Sequence, residues 1–342
     1  MPTTMRAALQ TSYGLDAIEL TDLPVPEPGP GQVRLRVEAA SINPADWHRA
    51  VGQPLFMRLT EGLRRPKQPI PGTDVCGTVD AVGPEVARWK VGDSVFGMAK
   101  GGFAEYTIAD AARLARTPSS MKPCEAASLP IAAVTALQAV DKADVAGKRV
   151  VINGASGGVG HFAVQIARSS GASEVIAVCS ARNADWVREL GADRVVDYET
   201  EDFTEQSVDA IIDCVGNRSA GDIANGLVAD GAWVLIGAGK KTGLLGPATK
   251  LIGAKLRWAF SSRRCIVFVA DETSERLTRL AELADADQLR VRIAAKRPLA
   301  DLRDAYDRIE SQRTPGKLVV TPHRAAAIDA RAAATAELTT CR

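Results

Sequence analysis

The sequence contains little histidine and no closely paired cysteines. Three histidines among 342 residues exclude a histidine-rich metal site; they are His48, His161 and His323. The six cysteines are spread over the whole chain without a Cys-x-x-Cys pair, at positions 76, 124, 179, 214, 265 and 341. This spacing argues against a disulfide framework and favours reduced thiols in a cytosolic compartment.

The chain also lacks a dominant charge and a long apolar run. Its 42 basic residues nearly balance 41 acidic ones, which argues against a nucleic-acid coat or a polybasic membrane anchor. The best apolar stretch, residues 126–140, is interrupted by polar residues and proline, so no membrane-spanning helix is predicted. The first residues lack the apolar core of a secretory signal. We therefore expect a cytoplasmic protein that binds neither nucleic acid nor a membrane.

What the sequence does contain is a globular composition with a strand-rich first part. Apolar residues make up 46% of the chain and charged residues 24%, as in soluble folded proteins, and this length favours about two domains. Residues 1 to about 122 are rich in strand and turn signals, such as the apolar and polar alternation at 33–37. Short runs separated by glycines follow at 75–82, 93–98 and 103–108. We predict a compact, mostly antiparallel β unit for this part.

After residue 122 helical and strand patterns alternate. Helices are predicted at 123–143, 158–169 and 184–190, and strands at 149–152, 174–178, 194–196, 210–213, 233–236 and 265–270. Such alternation predicts βαβ units and therefore a parallel sheet covered by helices. The patterns that follow predict helices at 274–286 and 299–311 and strands at 289–293 and 317–321; residues 323–342 are given no role.

The most informative stretch is the glycine-rich segment at 150–160, VVINGASGGVG. It follows an apolar strand directly and opens a helix, which is typical of the phosphate-binding turn of a dinucleotide-binding βαβ unit. The chain must turn tightly there and let a pyrophosphate approach the backbone at a helix N-terminus. Ala155 stands at the first position of the GxGxxG pattern, and Gly157 and Gly160 hold the other two. The alternative is a glycine-rich connector without a ligand.

The end of the next strand indicates which dinucleotide binds. An NAD site carries an Asp or Glu about 20 residues after the glycine turn, where it binds the ribose hydroxyls. Residues 179–183 read Cys-Ser-Ala-Arg-Asn, without a carboxylate. The Ser180 hydroxyl and the Arg182 guanidinium can instead surround a 2′-phosphate, with Arg182 as its bidentate partner. We therefore predict NADPH; the alternative is that both residues cap a helix in solvent.

Motifs of one known family occur in order along residues 5 to about 322. They lie at 39–46 (AASINPAD), 70–77 (IPGTDVCG), 91–97 (VGDSVFG), 102–106 (GFAEY), 133–136 (AVTA), 153–160 (NGASGGVG) and 191–198 (GADRVVDY). In these motifs the chain resembles the medium-chain dehydrogenase/reductase superfamily, in its zinc-free quinone-oxidoreductase-like branch.

The resemblance implies an α/β protein with two domains. A GroES-like, β-rich catalytic domain would comprise residues 1–122 and 271–322, and a Rossmann domain with a doubly wound parallel sheet would comprise 123–270. Residues 323–342 would form a tail. The resemblance also implies a small-molecule substrate in the cleft between the domains, and a homodimer paired through the last Rossmann strand at 265–270.

The sequence departs from the zinc-dependent members of this superfamily at the ligand positions. Those members carry an early cysteine and a His-Glu pair, where this chain has Asn-Pro-Ala-Asp at 43–46 and Gly-Thr-Asp at 72–74. The four closely spaced cysteines of their second zinc lobe are missing from residues 95–110. A catalytic zinc needs three protein ligands and an open position, so no metal is predicted.

Without zinc, the resemblance implies a conjugate reduction, in which NADPH gives hydride to an activated alkene of a quinone, enone or enoyl substrate. The protein then positions the reactants and stabilises an enolate oxygen. Motif correspondence implies that Asn43 and Thr135 face the nicotinamide; the alternatives are a turn residue and a helix-core hydroxyl. The other cofactor-binding residues that it implies are Ser156, Gly157, Gly158 and Val159 at the pyrophosphate, Ser180, Arg182 and Tyr198 at the 2′-phosphate, Cys214 and Val215 beside the adenosine, and Gly237, Ala238, Phe268 and Val269 near the nicotinamide.

His48 is the predicted proton donor and, with Asn43, the predicted catalytic pair. It follows Asn43 by five residues, where quinone-reductase relatives place a tyrosine facing the nicotinamide, and imidazole titrates near neutral pH. The alternative is a packed or solvent-facing side chain.

A basic stretch at 240–264 either attracts an anionic substrate, such as an acyl thioester, or is a solvated loop.

The residues leave two other functions open. One is a zinc-free interconversion of carbonyl compounds and alcohols. The other is a non-catalytic, crystallin-like protein that binds NADPH. Both would retain the dinucleotide site, so turnover of an enone with NADPH separates them from the leading prediction.

Overall fold

The described residues form three sheets: a small hairpin of Thr4–Gln10 and Ile18–Pro24, and two larger sheets that share one buried apolar cluster. A computed structural model describes residues 2–237, 253, 257–258 and 261–322 of the chain. Ala238, most of the basic stretch at 240–264 and the tail at 323–342 lie outside the described residues.

The strands and helices follow the chain as two series. The strands are β1 (Thr4–Gln10), β2 (Ile18–Pro24), β3 (Gln32–Ile42), β4 (Asp74–Val82), β5 (Ser94–Met98), β6 (Tyr106–Asp110), β7 (Leu114–Arg116), β8 (Arg149–Asn153), β9 (Glu174–Cys179), β10 (Arg194–Asp197), β11 (Val208–Asp213), β12 (Leu227–Leu235), β13 (Arg264–Ile266), β14 (Ile293–Pro298) and β15 (Lys317–Thr321). The helices are α1 (Pro44–Val51), α2 (Arg58–Glu61), α3 (Pro123–Ala126), α4 (Pro130–Ala143), α5 (Gly160–Ser169), α6 (Ala184–Glu189), α7 (Ala220–Gly226), α8 (Ser274–Asp285) and α9 (Leu302–Glu310).

One sheet has seven strands in the order β14-β15-β3-β4-β5-β7, and β6 also pairs with β3. All of its pairs are antiparallel except that of β14 with β15. The central strand β3 is almost wholly buried because it has neighbours along both edges. This is the predicted GroES-like β unit, completed by two strands from the end of the chain.

The other sheet has six parallel strands in the order β10-β9-β8-β11-β12-β13. The chain runs outward from β8 to β9 and β10, and then returns to the other side of β8 with β11. Ligands of open parallel sheets bind where the strand order reverses in this way, at the carboxyl ends of the strands. The α/β prediction, with a GroES-like sheet and a Rossmann sheet, is confirmed.

Helix α4 lies between the two sheets. Its residues are buried on nearly every side, as in a helix packed between two layers. Its apolar side chains belong to one buried cluster that also includes Phe96 of the seven-stranded sheet and Ile152 of the parallel sheet. The two sheets are therefore held together by a common core, and the boundary at residue 122 stays a prediction.

Two predicted strands differ from the structure. The strand predicted at 265–270 is the short β13, Arg264–Ile266, because only residues 264–266 pair with β12, and Val269 is 93% exposed. The strand predicted at 289–293 begins only at Ile293 and continues to Pro298, where it pairs with β15. The apolar alternation at 289–293 reflects packing, since Leu289 is buried in the main core and Val291 packs against it.

No helix among the described residues is long and apolar enough to cross a bilayer.

Candidate active site

The glycine-rich turn between β8 and α5 forms a cradle that admits no side chain at its base. A Cβ on Gly160 would lie 2.1 Å from the Gly154 carbonyl oxygen, and one on Gly157 would lie 3.2 Å from the same atom. The backbone therefore folds tightly on itself, and the N-terminus of α5 opens toward the exposed side of the turn. Such a cradle fits the pyrophosphate of a dinucleotide. It contains four predicted residues, Ser156, Gly157, Gly158 and Val159, all partly exposed.

A buried carboxylate, that of Asp213, ties together the loops at the carboxyl edge of the parallel sheet. Its Oδ1 accepts hydrogen bonds from Asn153 Nδ2 and from Gly216 N, both at 2.8 Å. The backbone at Gly237 packs tightly against that of Cys214, since a Cβ on Gly237 would lie 2.4 Å from the Cys214 carbonyl oxygen. The structure thus brings together the predicted residues Cys214, Val215 and Gly237 beside the turn.

The predicted 2′-phosphate residues meet at the ends of β9 and β10. Ser180 directly follows β9, and its hydroxyl accepts a hydrogen bond from Asn183 Nδ2 at 3.1 Å. Tyr198 follows β10 and donates its backbone N–H to the Cys179 carbonyl, with an exposed ring. Arg182 is exposed and forms no ion pair within the described part of the chain. We refer to the edge that these three residues form as the 2′-phosphate notch. It has no carboxylate at 179–183, whereas Asp197 ends the neighbouring strand β10 beside Cys179.

A buried cluster of three polar side chains, those of Asn43, Asp74 and Lys317, lies beneath the glycine turn. Lys317 Nζ donates to Asn43 Oδ1 at 2.5 Å, and Asn43 Nδ2 donates to Asp74 Oδ2 at 2.8 Å. The Lys317 stem passes the turn, since its Cδ lies 3.5 Å from the place of a Cβ on Gly158. This cluster places an ammonium beside the phosphate cradle, where it can attract an anion.

Asp74 connects the cluster to β3 and to helix α4. Its carboxylate also accepts from Ser41 Oγ at 3.2 Å and from Ile131 N, at the start of α4, at 3.2 Å. Burial raises the pKa of Asp74 to about 7, against the lowering effect of Lys317, and burial lowers the pKa of Lys317. Lys317 and Asp74 were not among the site residues predicted from the sequence. The available signal was a lysine that opens an apolar strand, KLVVT, and an aspartate that opens another, DVCGTV.

The cluster does not fit a zinc ion. Asn43 and Thr73 stand where zinc-dependent relatives were expected to carry ligands, yet Asn43 holds the Lys317 ammonium and Thr73 donates to Asp46 Oδ1 at 3.1 Å. In the described ranges no group of three or more His, Cys, Asp or Glu side chains could hold a metal.

A cavity of about 310 Å³ opens next to this cluster. Asp46 lines it and accepts from the backbone N–H of Asn43 at 2.8 Å. Arg49 also lines it and donates to Thr73 Oγ1 at 3.0 Å, and Lys100 adds a second cation. The cavity therefore combines basic donors, which suit a substrate oxygen that gains negative charge, with the carboxylates of Asp46, Glu61 and Asp110. Arg49 Nε lies 3.5 Å from Glu61 Oε1.

Four predicted residues, His48, Thr135, Phe268 and Val269, do not line this cavity. His48 lies on α1 and does not line the cavity; its Nδ1 is 2.9 Å from the Gln53 carbonyl oxygen. Because a carbonyl only accepts, Nδ1 carries a proton in this contact, and a proton given to a substrate would come from Nε2 of the imidazolium. Thr135 donates its hydroxyl to the Ile131 carbonyl at 2.6 Å. Phe268 is partly buried beneath the Lys142 ammonium, whereas Val269 is exposed.

Comparisons with known proteins agree with this architecture. Residues 29–119 match the family model described as alcohol dehydrogenase GroES-like domain, and residues 190–320 match the one described as zinc-binding dehydrogenase. The chain is 32% identical to the chloroplast envelope quinone oxidoreductase homolog of Arabidopsis thaliana, covering 93% of this chain and 98% of that protein. It is 31% identical to the 2-methylene-furan-3-one reductase of Solanum lycopersicum, covering 94% and 80%.

Among solved structures, the quinone oxidoreductase from Coxiella burnetii superimposes with a TM-score of 0.82. The two sequences are 30% identical, and the match covers 94% of this chain and all of that one.

Proposed function

The chain belongs to the medium-chain dehydrogenase/reductase superfamily, in its quinone-oxidoreductase-like branch, and from this we propose that it is a zinc-independent, NADPH-dependent reductase of activated alkenes. That it is an oxidoreductase using a nicotinamide cofactor follows from its relatives. The observation that carries the finer proposal is the cavity beside Asn43. The cavity offers Arg49 and Lys100. The Lys317 ammonium donates to Asn43, whose side-chain amide is not one of the usual zinc ligands.

The residues of the chain have separate tasks in this proposal. When bound, NADPH supplies a hydride. The glycine cradle and Lys317 hold its pyrophosphate, while Asn43, fixed by Lys317 and Asp74, faces the nicotinamide. The basic donors of the cavity stabilise the enolate oxygen that develops as the alkene is reduced.

An assay with simple acceptors tests the proposed reaction. The purified protein is incubated with NADPH and a panel of quinones, enones and enoyl thioesters, before and after dialysis against a chelator. We expect NADPH oxidation with at least one alkene, unchanged by the chelator. Turnover of ketones or aldehydes alone would favour carbonyl reduction instead, and activity that requires restored zinc would contradict the proposal.

Arg182 is expected to set the preference for NADPH. Arg182→Ala should weaken NADPH binding about tenfold or more, because a charge-assisted bond to the 2′-phosphate is lost, and should leave NADH binding nearly unchanged. Titration of both cofactors by fluorescence measures this. Arg188→Ala is the matched control, since Arg188 lies on α6 and pairs with Asp185. Equal affinity of the parent protein for the two cofactors would contradict the NADPH proposal.

His48 is proposed as the proton donor to the substrate. His48→Ala should lower turnover by about 100-fold, within the usual range for a general acid, with little change in NADPH affinity. His48→Gln keeps a donor and should recover part of the rate. Turnover of His48→Ala within about threefold of the parent, a difference too small for proton transfer, would leave His48 without a catalytic role.

We further propose a homodimer paired along β13 and a cytoplasmic location. β13 is the last strand of the parallel sheet, and a sheet edge offers unpaired backbone groups to a second strand. All five cysteines in the described part of the chain are free thiols, which suits a reducing compartment.

A further inference from the structure

A second basic side chain, that of Arg292, approaches the predicted 2′-phosphate notch from the seven-stranded sheet. Arg292 directly precedes β14, and its carbonyl accepts the backbone N–H of Lys317 at 2.8 Å. The neighbouring Gly316 donates its N–H to the Ser156 carbonyl of the glycine turn at 2.9 Å. Arg292 is therefore anchored where the end of the chain meets the phosphate cradle.

The guanidinium of Arg292 lies over the indole of Trp186, with Cζ 5.5 Å from the ring centroid. Trp186 belongs to α6 and donates its Nε1–H to Asn183 Oδ1 at 3.2 Å. Asn183 in turn donates to Ser180 Oγ at 3.1 Å. A continuous set of contacts thus connects Arg292 to the hydroxyl at the end of β9, and Trp186 fixes the direction of the guanidinium.

The charges around the notch distinguish Arg292 from its neighbours. Arg188 pairs with Asp185, and Arg290 pairs with Asp287 and lies near Glu189. By contrast, neither Arg182 nor Arg292 takes part in any ion pair formed between described residues. Two guanidinium groups without an ion pair therefore belong to the region that holds the Ser180 hydroxyl. The carboxylate at the end of β10, that of Asp197, accepts the backbone N–H of Glu199 at 3.2 Å.

We propose that Arg292 is a second ligand of the cofactor 2′-phosphate and acts together with Arg182. A phosphate monoester carries nearly two negative charges near neutral pH, and the guanidinium fork matches its oxygens. Arg292 directly precedes β14 of the seven-stranded sheet, whereas Arg182 follows β9 of the parallel sheet. The 2′-phosphate would therefore be held by residues from both sheets. This inference rests on the proposed use of NADPH and adds a residue that determines specificity.

The test uses fragments of the cofactor and so does not depend on turnover. Binding of 2′,5′-ADP and 5′-AMP to the full-length protein is measured by calorimetry for the parent, Arg292→Gln, Arg292→Lys and the matched control Arg290→Gln. We expect Arg292→Gln to weaken 2′,5′-ADP about tenfold, as expected for one lost charge-assisted bond, and to leave 5′-AMP unchanged. Arg292→Lys should recover part of the loss, and Arg290→Gln should behave like the parent.

The outcomes separate this inference from the proposed function. If the parent binds 2′,5′-ADP no better than 5′-AMP, both the NADPH preference and the role of Arg292 are wrong. If the parent prefers 2′,5′-ADP and Arg292→Gln keeps that preference, the role of Arg292 alone is wrong. An equal loss of both fragments in Arg292→Gln would show that Arg292 supports the fold of the loop, which also overturns the proposal.

Discussion

Lys317→Met is expected to lower the free energy of unfolding by about 3 kcal/mol near pH 8. Lys317 is 3% exposed and provides the donor for Asn43 Oδ1. Its removal leaves that oxygen without its donor, and Asp74 must either stay charged without a cation or keep a proton; breaking a buried charge pair typically costs about 3–5 kcal/mol. Chemical denaturation at several pH values measures the effect. Lys148→Met, at an exposed ion pair with Asp144, should change stability by less than about 1 kcal/mol.

The loss of stability in Lys317→Met should grow with pH. Burial raises the pKa of Asp74 to about 7, and the nearby Lys317 opposes that rise. Without the ammonium the pKa of Asp74 rises further, so the folded variant keeps a proton that the unfolded chain releases. Stability then falls as pH increases through and beyond 7. Adding Asp74→Asn removes the charge and should restore much of the loss; a double variant no more stable than Lys317→Met would contradict this account.

Gly160→Ala is expected to be the most damaging change in the glycine turn. The new methyl group would lie 2.1 Å from the Gly154 carbonyl oxygen and 2.7 Å from its carbon. Both are backbone atoms, so α5 must move away from β8, which should cost about 3 kcal/mol and abolish measurable NADPH binding. Thermal unfolding and cofactor titration follow the two effects.

Gly158→Ala provides the matched control in the same turn. A Cβ there would meet Lys317 Cδ at 3.5 Å and the Gly316 carbonyl oxygen at 3.6 Å, both ordinary contact distances. We expect stability to change by less than about 1 kcal/mol while cofactor binding weakens, because the methyl group covers the cradle. The reverse order of stability between the two variants would show that the tight turn is not what Gly160 maintains.

The elements that the sequence predicts well are those set by local patterns. The parallel strands and the turn at 150–160 follow from apolar runs and glycine spacing within one βαβ unit. The helix α1 was not predicted, although Asn-Pro-Ala-Asp at 43–46 is a helix start: the Asp46 carboxylate accepts the Asn43 N–H. The helix start is hard to recognise because apolar strand residues lead directly to Asn43 and Pro44, which are also common in turns.

The buried cluster could not be predicted because its members are remote in sequence. Lys317 and Asn43 are 274 residues apart, and their contact depends on how β15 aligns with β3. In that register Leu318 lies opposite Ile42, which carries Lys317 past the end of β3. No periodicity within either strand specifies such a pairing, so a lone lysine in an apolar strand does not reveal its partner.

The return of the chain to β3 has a consequence for the order of assembly on the ribosome. The six-stranded sheet uses residues 149–266 and can form while the C-terminal segment is still being synthesised. The edge of β3 at Ala40–Ile42 must wait until β15, which lies far downstream in the sequence, has been synthesised. Contacts of such long range close slowly and leave apolar strand edges exposed in the meantime. The nascent protein should therefore need chaperone protection at this edge, and Lys317 arrives as one of the last residues of the catalytic cleft.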